Sequence, residues 1–278
     1  MWRRGASAVG LGLVLLTTSA CAGDIGTGAR DIDPPVVVAT TTIVGDLASV
    51  VTGQEATVEV LMPTGADPRA YEPTPEQTRR LLEADLIVAS GLGFEAGLAE
   101  ALDDAERRGV PLLRLGESLY PLVEAGGTDG TCDPYWWMDP LRAAGAVGLI
   151  ADALISVQDG QWVMRAMTAD SRLGDLDRVI RLRLSRCDTW PRQLITSQPG
   201  LTYFAQRYDC IVSSPTAALA AGMDRSDDDS DEPVSVFVDS LGGPGSGAET
   251  YLDMMLTNTD RLAHAGSVVF VQPAPTGL

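Results

Sequence analysis

Apolar and polar positions alternate along this chain in two rhythms. Short β-branched or apolar runs recur at residues 36–42, 57–62, 85–90 and 111–115, each the length of a strand in a parallel sheet buried on both faces. Between them the spacing turns helical, over 43–51, 74–84 and 94–108, with Pro75 behind Thr74 as a start signal. Strand–helix alternation of this kind predicts an open parallel α/β lobe over 36–130, closed by the glycine-rich stretch 125–130.

The rhythm then changes. Residues 140–154 are Ala-rich and helical in pattern, and after Asp159 and Gly160 a second helical pattern runs to about residue 186. Two helices with no strand between them predict a connection between lobes, assigned to 131–186. Strands are expected again at 193–197, 210–214, 234–238 and 267–271, with helices at 201–208 and 248–264. They make a second α/β lobe over 187–278.

Upstream, Arg3 and Arg4 precede an apolar run over 6–16, small residues at 17–20, and Cys21. This is the pattern of a secretory signal over 1–20. The run is about half of the roughly 20 residues a spanning helix needs, and no later stretch is long and apolar enough. Cys21 after Ser19 and Ala20 resembles a lipobox, with Thr18 where Leu is usual; ordinary cleavage is the alternative. The expected location is the outer face of the cytoplasmic membrane, held by lipid on Cys21, with 21–35 as a tether.

Charge narrows the partners. The net charge is −18 and all 20 basic residues are Arg, so nucleic acid, which needs a basic patch, is excluded as a partner. Exported chains usually pair their cysteines. With Cys21 lipidated, Cys132, Cys187 and Cys210 remain. Cys187 lies shortly before one expected strand and Cys210 opens the next, so both fall at the same sheet edge, and a Cys187–Cys210 disulfide is expected. Cys132 falls near the opposite edge.

Four segments stand at carboxyl ends of strands or at the lobe junction, where open α/β sheets bind ligands: GADPRAYEP (65–73), DPYWWMDP (133–140), TSQPGLTYF (196–204) and DSLGGPGSG (239–247). With the opening ATTTIVGDLASVVTG, the ADLIVASGLGFE segment and YLDMMLTNTDRL, they resemble the zinc- and manganese-binding proteins of bacterial ABC importers, a family that includes streptococcal adhesin lipoproteins. The resemblance implies two lobes joined by a long rigid linking helix, an ABC permease as partner, no enzymatic activity, and a metal held by four side chains. It places the ligands at Arg69, Tyr135 and Gln198, where the family has His, His, and His or Glu, and at Asp239, where the family's Asp is kept. It also implies a helix, a strand and another helix between Ser214 and Val234, which twenty residues cannot hold. The C-terminal lobe is therefore expected to be shortened, with 267–271 filling an edge of its sheet.

Donor chemistry makes this ligand set poor. Arg has no lone pair to give, Tyr must lose a proton of pKa near 10, and Gln offers a neutral amide oxygen. Zinc and manganese want imidazole, thiolate or carboxylate donors, so a family-type zinc or manganese site does not form as such. Arg69 either pairs with Asp239 in the cation's place or points to solvent. Tyr135, Trp136 and Trp137 either pack the lobe interface or wall an organic or anionic solute. Gly91, Gly93 and Ala96 fit a G-x-G-x-x-A dinucleotide pattern only weakly. The acidic run 224–232 is read as a solvated loop, since it lacks the glycine and terminal Glu of a calcium loop. His264 is read as a surface residue at a helix end. The function expected is a solute-binding lipoprotein of a metal-type importer with an altered ligand site. The alternative is a cell-surface interaction or scaffold protein that keeps the fold and binds other surface proteins.

Overall fold

A computed structural model describes residues 33–123, 131–187, 193–197, 199–221, 233–265 and 268–274. The signal and the tether up to residue 32, with Cys21, the position of Gln198 and the acidic run lie outside the described residues. The first lobe contains β1 (Val36–Ala39), α1 (Thr42–Thr52), β2 (Thr57–Val60), α2 (Pro75–Glu83), β3 (Leu86–Ala89), α3 (Ala99–Arg107), β4 (Leu112–Arg114) and the single turn α4 (Leu115–Ser118). Its strands are parallel in the order β2-β1-β3-β4. Start signals act as the sequence implies. Thr41 accepts from Val44 N ahead of α1, and Thr74 forms a reciprocal capping box with Gln77 at α2. At Gly45 a Cβ would lie 2.4 Å from the Val60 side chain, so glycine lets α1 sit directly on β2.

Next come α5 (Pro140–Val157) and α6 (Trp162–Ser185), which pack along one another. α5 rests chiefly on α1 and β3, whereas α6 touches α1 of the first lobe and reaches the last helix of the second. The link is thus a pair of helices, and the second of them packs on both lobes.

The second lobe holds β5 (Gln193–Ile195), α7 (Thr202–Tyr208), β6 (Ile211–Ser213), α8 (Pro215–Ala220), β7 (Val234–Val236), α9 (Tyr251–His264) and β8 (Val268–Pro273). Its strands are all parallel in the order β6-β5-β8-β7. The expected placement of the last strand at a sheet edge is therefore corrected. β8 occupies an interior slot, its first half paired with β5 (Gln193↔Val268) and its second half with β7 (Val234↔Val271). A strand whose Val269 and Val271 are both buried satisfies its backbone groups more fully between two neighbours than at an edge.

The expected disulfide is also corrected: Cys187 and Cys210 are both thiols, as is Cys132. Although both belong near strand starts, they face different neighbours. Cys187 Sγ lies 3.5 Å from Ala263 O of α9, and Cys210 Sγ lies 3.8 Å from Tyr208 O at the end of α7. Sharing a sheet edge does not bring two cysteines within bridging distance when the side chains point into different helix contacts.

Candidate functional site

The junction of the lobes is organised by residues 133–138. Asp133 Oδ1 accepts from Tyr135 N at 2.9 Å, an Asx turn that starts the short 3₁₀ turn Trp136–Met138. Asp139 then caps α5 by accepting from Leu141 N, with Pro140 at the first helical position. This local chemistry aims three aromatic rings inward. Trp136 Nε1 donates to Ser90 O in the first lobe, and Trp137 Nε1 donates to Val238 O in the second, at 2.9 and 2.8 Å. Both indoles are buried, so they are packing residues that tie the lobes together.

Tyr135 completes the cluster. Its ring lies 5.4 Å from Phe94 and 5.3 Å from Trp137, and Phe94 meets Trp137 edge-on at 4.8 Å. Its hydroxyl is the centre of the cleft. Arg69 Nη2 donates to Tyr135 Oη at 2.5 Å, and Tyr135 Oη donates to Asp239 Oδ1 at 2.8 Å. Arg69 and Asp239 are therefore joined through a phenol rather than directly paired, which corrects the simple ion-pair expectation. The guanidinium also lies 5.8 Å from the centroids of both the Phe94 and Tyr135 rings, within cation–π range. Asp67 fixes the loop backbone by accepting from Arg69 N at 3.0 Å, with its carboxylate 4.0 Å from the guanidinium.

The electrostatics reinforce this chain of contacts. Burial, and then the Asp239 carboxylate, push the Tyr135 phenol well above its ordinary value, so it remains a donor. Burial works against the charge on Arg69, but Tyr135, Asp239 and Asp67 outweigh it and hold the guanidinium above its usual range. Beside these groups is a cavity of about 250 Å³, lined by Asp67, Arg69, Asp239, Ser240 and the end of β8 at Pro273 and Ala274.

The structure brings three of the four expected cleft positions together, namely Arg69, Tyr135 and Asp239; Gln198 lies outside the described residues. Its neighbour Gly200 presses on the Tyr135 ring, where a Cβ would fall 2.9 Å from Cδ1. No group of three His, Cys, Asp or Glu side chains able to hold a metal is present among the described residues. Of the three described positions, Arg69 has no lone pair to give and the protonated Tyr135 is a weak ligand, which leaves Asp239 as the one strong donor among them.

The glycine turn at 91–93 also has a clear role. Glu95, buried, accepts from Ser90 N at 2.5 Å, Gly91 N at 3.2 Å and Thr40 Oγ1 at 2.6 Å, and Glu117 takes Leu92 N. The amides that would cradle a phosphate are already committed to carboxylates. Phe94, which packs against Tyr135 from the first lobe, and Glu95, which holds the glycine turn, were not singled out in the sequence, although they end the ADLIVASGLGFE segment. His264 is exposed on the last turn of α9, with Nδ1 2.6 Å from Asp260 O.

Contacts across the cleft run from α1. Leu241 N donates to Thr42 Oγ1 and Tyr251 N to Asp46 Oδ2, both at 2.9 Å.

The family model for the zinc-uptake complex component A, periplasmic, matches residues 37–232. The chain belongs to this family. Among the family's relatives, the manganese-binding lipoprotein MntA of Halalkalibacterium halodurans is 25% identical over 285 residues, spanning 89% of this chain and 93% of that protein. The iron-binding protein YfeA of Yersinia pestis is 30% identical over 176 residues, 62% of this chain and 56% of its own length. Among solved structures, the periplasmic zinc-binding protein TroA from Treponema pallidum superposes with a TM-score of 0.73 at 20% identity, covering 84% of this chain and 99% of that one. That likeness establishes the fold, two parallel-sheet α/β lobes. Within the zinc-uptake component A family, then, this member places Arg, Tyr and Asp where the sequence resemblance puts metal ligands.

Proposed function

We propose that this chain is the extracytoplasmic solute-binding component of a metal-type ABC importer, anchored by lipid on Cys21 and docking on a membrane permease with its ATPase, and that its cleft is closed by side chains instead of a divalent cation. The observation that carries the altered-site reading is the Arg69–Tyr135–Asp239 chain of hydrogen bonds. A guanidinium supplies the positive charge beside the retained carboxylate, and a phenol spans the gap that imidazoles would fill. Relatives named for manganese, iron and zinc support the importer assignment, while the donor set argues against the same cargo here.

Zinc and manganese test it directly. Wild-type protein should gain no thermal stability from either metal, because a ligand stabilises only by binding the folded state. The triple variant Arg69→His, Tyr135→His, Gln198→His presents three imidazoles beside Asp239, a set zinc accepts. It should take up zinc and gain about 2.7 kcal/mol at a hundredfold excess over Kd. Arg69→His alone should gain much less. Stoichiometric zinc or manganese on wild-type protein, lost on Asp239→Ala, would overturn the reading.

A further inference from the structure

A second chamber lies at the carboxyl ends of β5 and β6. It has a volume of about 290 Å³ and is lined by Asp133, Ser197, Thr202, Val212, Ser213 and Ser214, among others. It shares Asp133 and Gly200 with the packing around Tyr135. The Asp133 side chain is almost wholly buried, at 1% exposure. Its Oδ1 is used by Tyr135 N, but its Oδ2 is buried without a hydrogen-bond partner. Burial holds the Asp133 carboxyl above its ordinary value, while the Tyr135 amide and then the Thr202 hydroxyl work in the opposite direction and favour the charged form. Orphaned buried polar atoms are uncommon and call for an explanation.

The lining decides what would satisfy it. Among the described residues that line it, the polar side chains apart from Asp133 are hydroxyls and none is Arg or His, which disfavours an anion. One carboxylate that has no two further acidic, His or Cys partners among the described residues is a poor divalent-metal site. An ammonium group, by contrast, carries three donors and one positive charge. Asp133 Oδ2, Ser197 Oγ and Thr202 Oγ1 supply one anionic and two neutral acceptors. Leu201 and Val212 line the rest, suited to a short alkyl stem, and the volume admits only a small molecule. We propose that this chamber binds a small primary amine as its ammonium ion, with Asp133 as the anionic anchor.

The probe is ethylammonium chloride added to the mature chain, against equal sodium chloride and against ethanol as the uncharged analogue, read by thermal shift and calorimetry. Ethylammonium should raise the melting temperature saturably, by about 2–4 °C, the shift expected of modest ligand stabilisation at this chain length. Asp133→Asn should weaken binding about tenfold or more, because the buried charge partner is gone. Should that variant fail to fold, Ser197→Trp, on an exposed position of the rim, should fill the mouth and abolish binding without lowering the melting temperature of the ligand-free protein. No rise beyond sodium chloride, an equal rise with ethanol, or wild-type affinity in a folded variant would each overturn the proposal. The zinc experiment reads different side chains, so either reading can fail alone.

Discussion

The two lobes share an architecture but are secured differently. In the first, alternate residues of the central strands enter separate cores: Val37, Ala39 and Val88 face the core that runs through both lobes, while Val38, Ile87 and Ala89 face a second core under α2 and α3. In the second lobe only the shared core is found among the described residues, and on its outer elements Ile211 and Leu219 remain 59% and 61% exposed. The first lobe is therefore a sheet covered on both faces and built by consecutive βα units. The second depends on the shared core and on a strand delivered from the end of the chain. A lobe assembled from contiguous sequence carries its own stability; one completed by a distant segment borrows it.

The largest test of this contrast is removal of the last strand. Deleting residues 267–278 takes away one of the two strand neighbours of β5 and the strand paired with β7, with the buried Val269 and Val271. It should abolish amide-exchange protection in β7 and lower it in β5 while β1 and β3 keep theirs. Because β7 leads directly into Asp239, the cleft should also lose its Tyr135–Asp239 bond. A truncated protein with wild-type protection in β7 would show that the second lobe stands without its borrowed strand.

This contrast also marks what could be read from the sequence. The βα order of the first lobe follows from local periodicity and start signals such as Thr74, Pro75 and Gln77, and the structure places those elements within a few residues. The slot taken by β8 could not be read, because an apolar run such as 268–271 carries no record of which strands flank it. The short helix α8 was missed because its six residues, 215–220, are too few to show a period. At the site, the positions of Arg69, Tyr135 and Asp239 were legible from motif spacing. That Tyr135 would stand between the other two was not, since it depends on ring packing against Phe94, Trp137 and Gly200. The disulfide failed for the same reason: topology assigns an edge, but side-chain direction assigns a partner.

A smaller effect is expected at the contact that joins the lobes in the cleft. Tyr135→Phe keeps the ring in its aromatic cluster and removes only the hydroxyl that accepts from Arg69 and donates to Asp239. Loss of two charge-assisted bonds from a partly solvated cleft should cost about 1–3 kcal/mol, as hydrogen bonds to charged groups do. Global unfolding and small-angle scattering together read the result. A lower melting temperature with a larger radius of gyration identifies the phenol as a clasp between lobes. Unchanged stability would mean that Arg69 and Asp239 close the gap by pairing directly.

The smallest expected effect separates a carboxyl of the first lobe from one on the linking helix α6 by the sign of a pH dependence. Asp46, on α1 of the first lobe, accepts from Tyr251 N of α9, and burial holds its carboxyl above the ordinary 3.8, with Asp253 adding repulsion. Asp177, on α6, is also desolvated, but the Arg207 guanidinium, which contacts both its oxygens, and Arg181 outweigh burial and hold it below 3.8. The linkage signs are opposite. For Asp46 the folded state binds its proton more tightly than the unfolded chain, so the ionised carboxylate costs stability at neutral pH, and that cost is relieved as pH falls through the raised folded value. For Asp177 the folded state binds its proton less tightly, so its contribution is fully present above 3.8 and is lost as pH falls through the depressed folded value. Asp46→Asn, whose amide oxygen can still accept from Tyr251 N, should therefore match or exceed wild-type stability at pH 7 and lose that relative advantage on acidification. Asp177→Asn should be less stable than wild type at pH 7 and approach it at the acid end. Denaturant midpoints measured between pH 7 and pH 3 decide the matter: difference curves of the same sign for the two variants would show that burial, rather than the charged partner, governs both carboxylates.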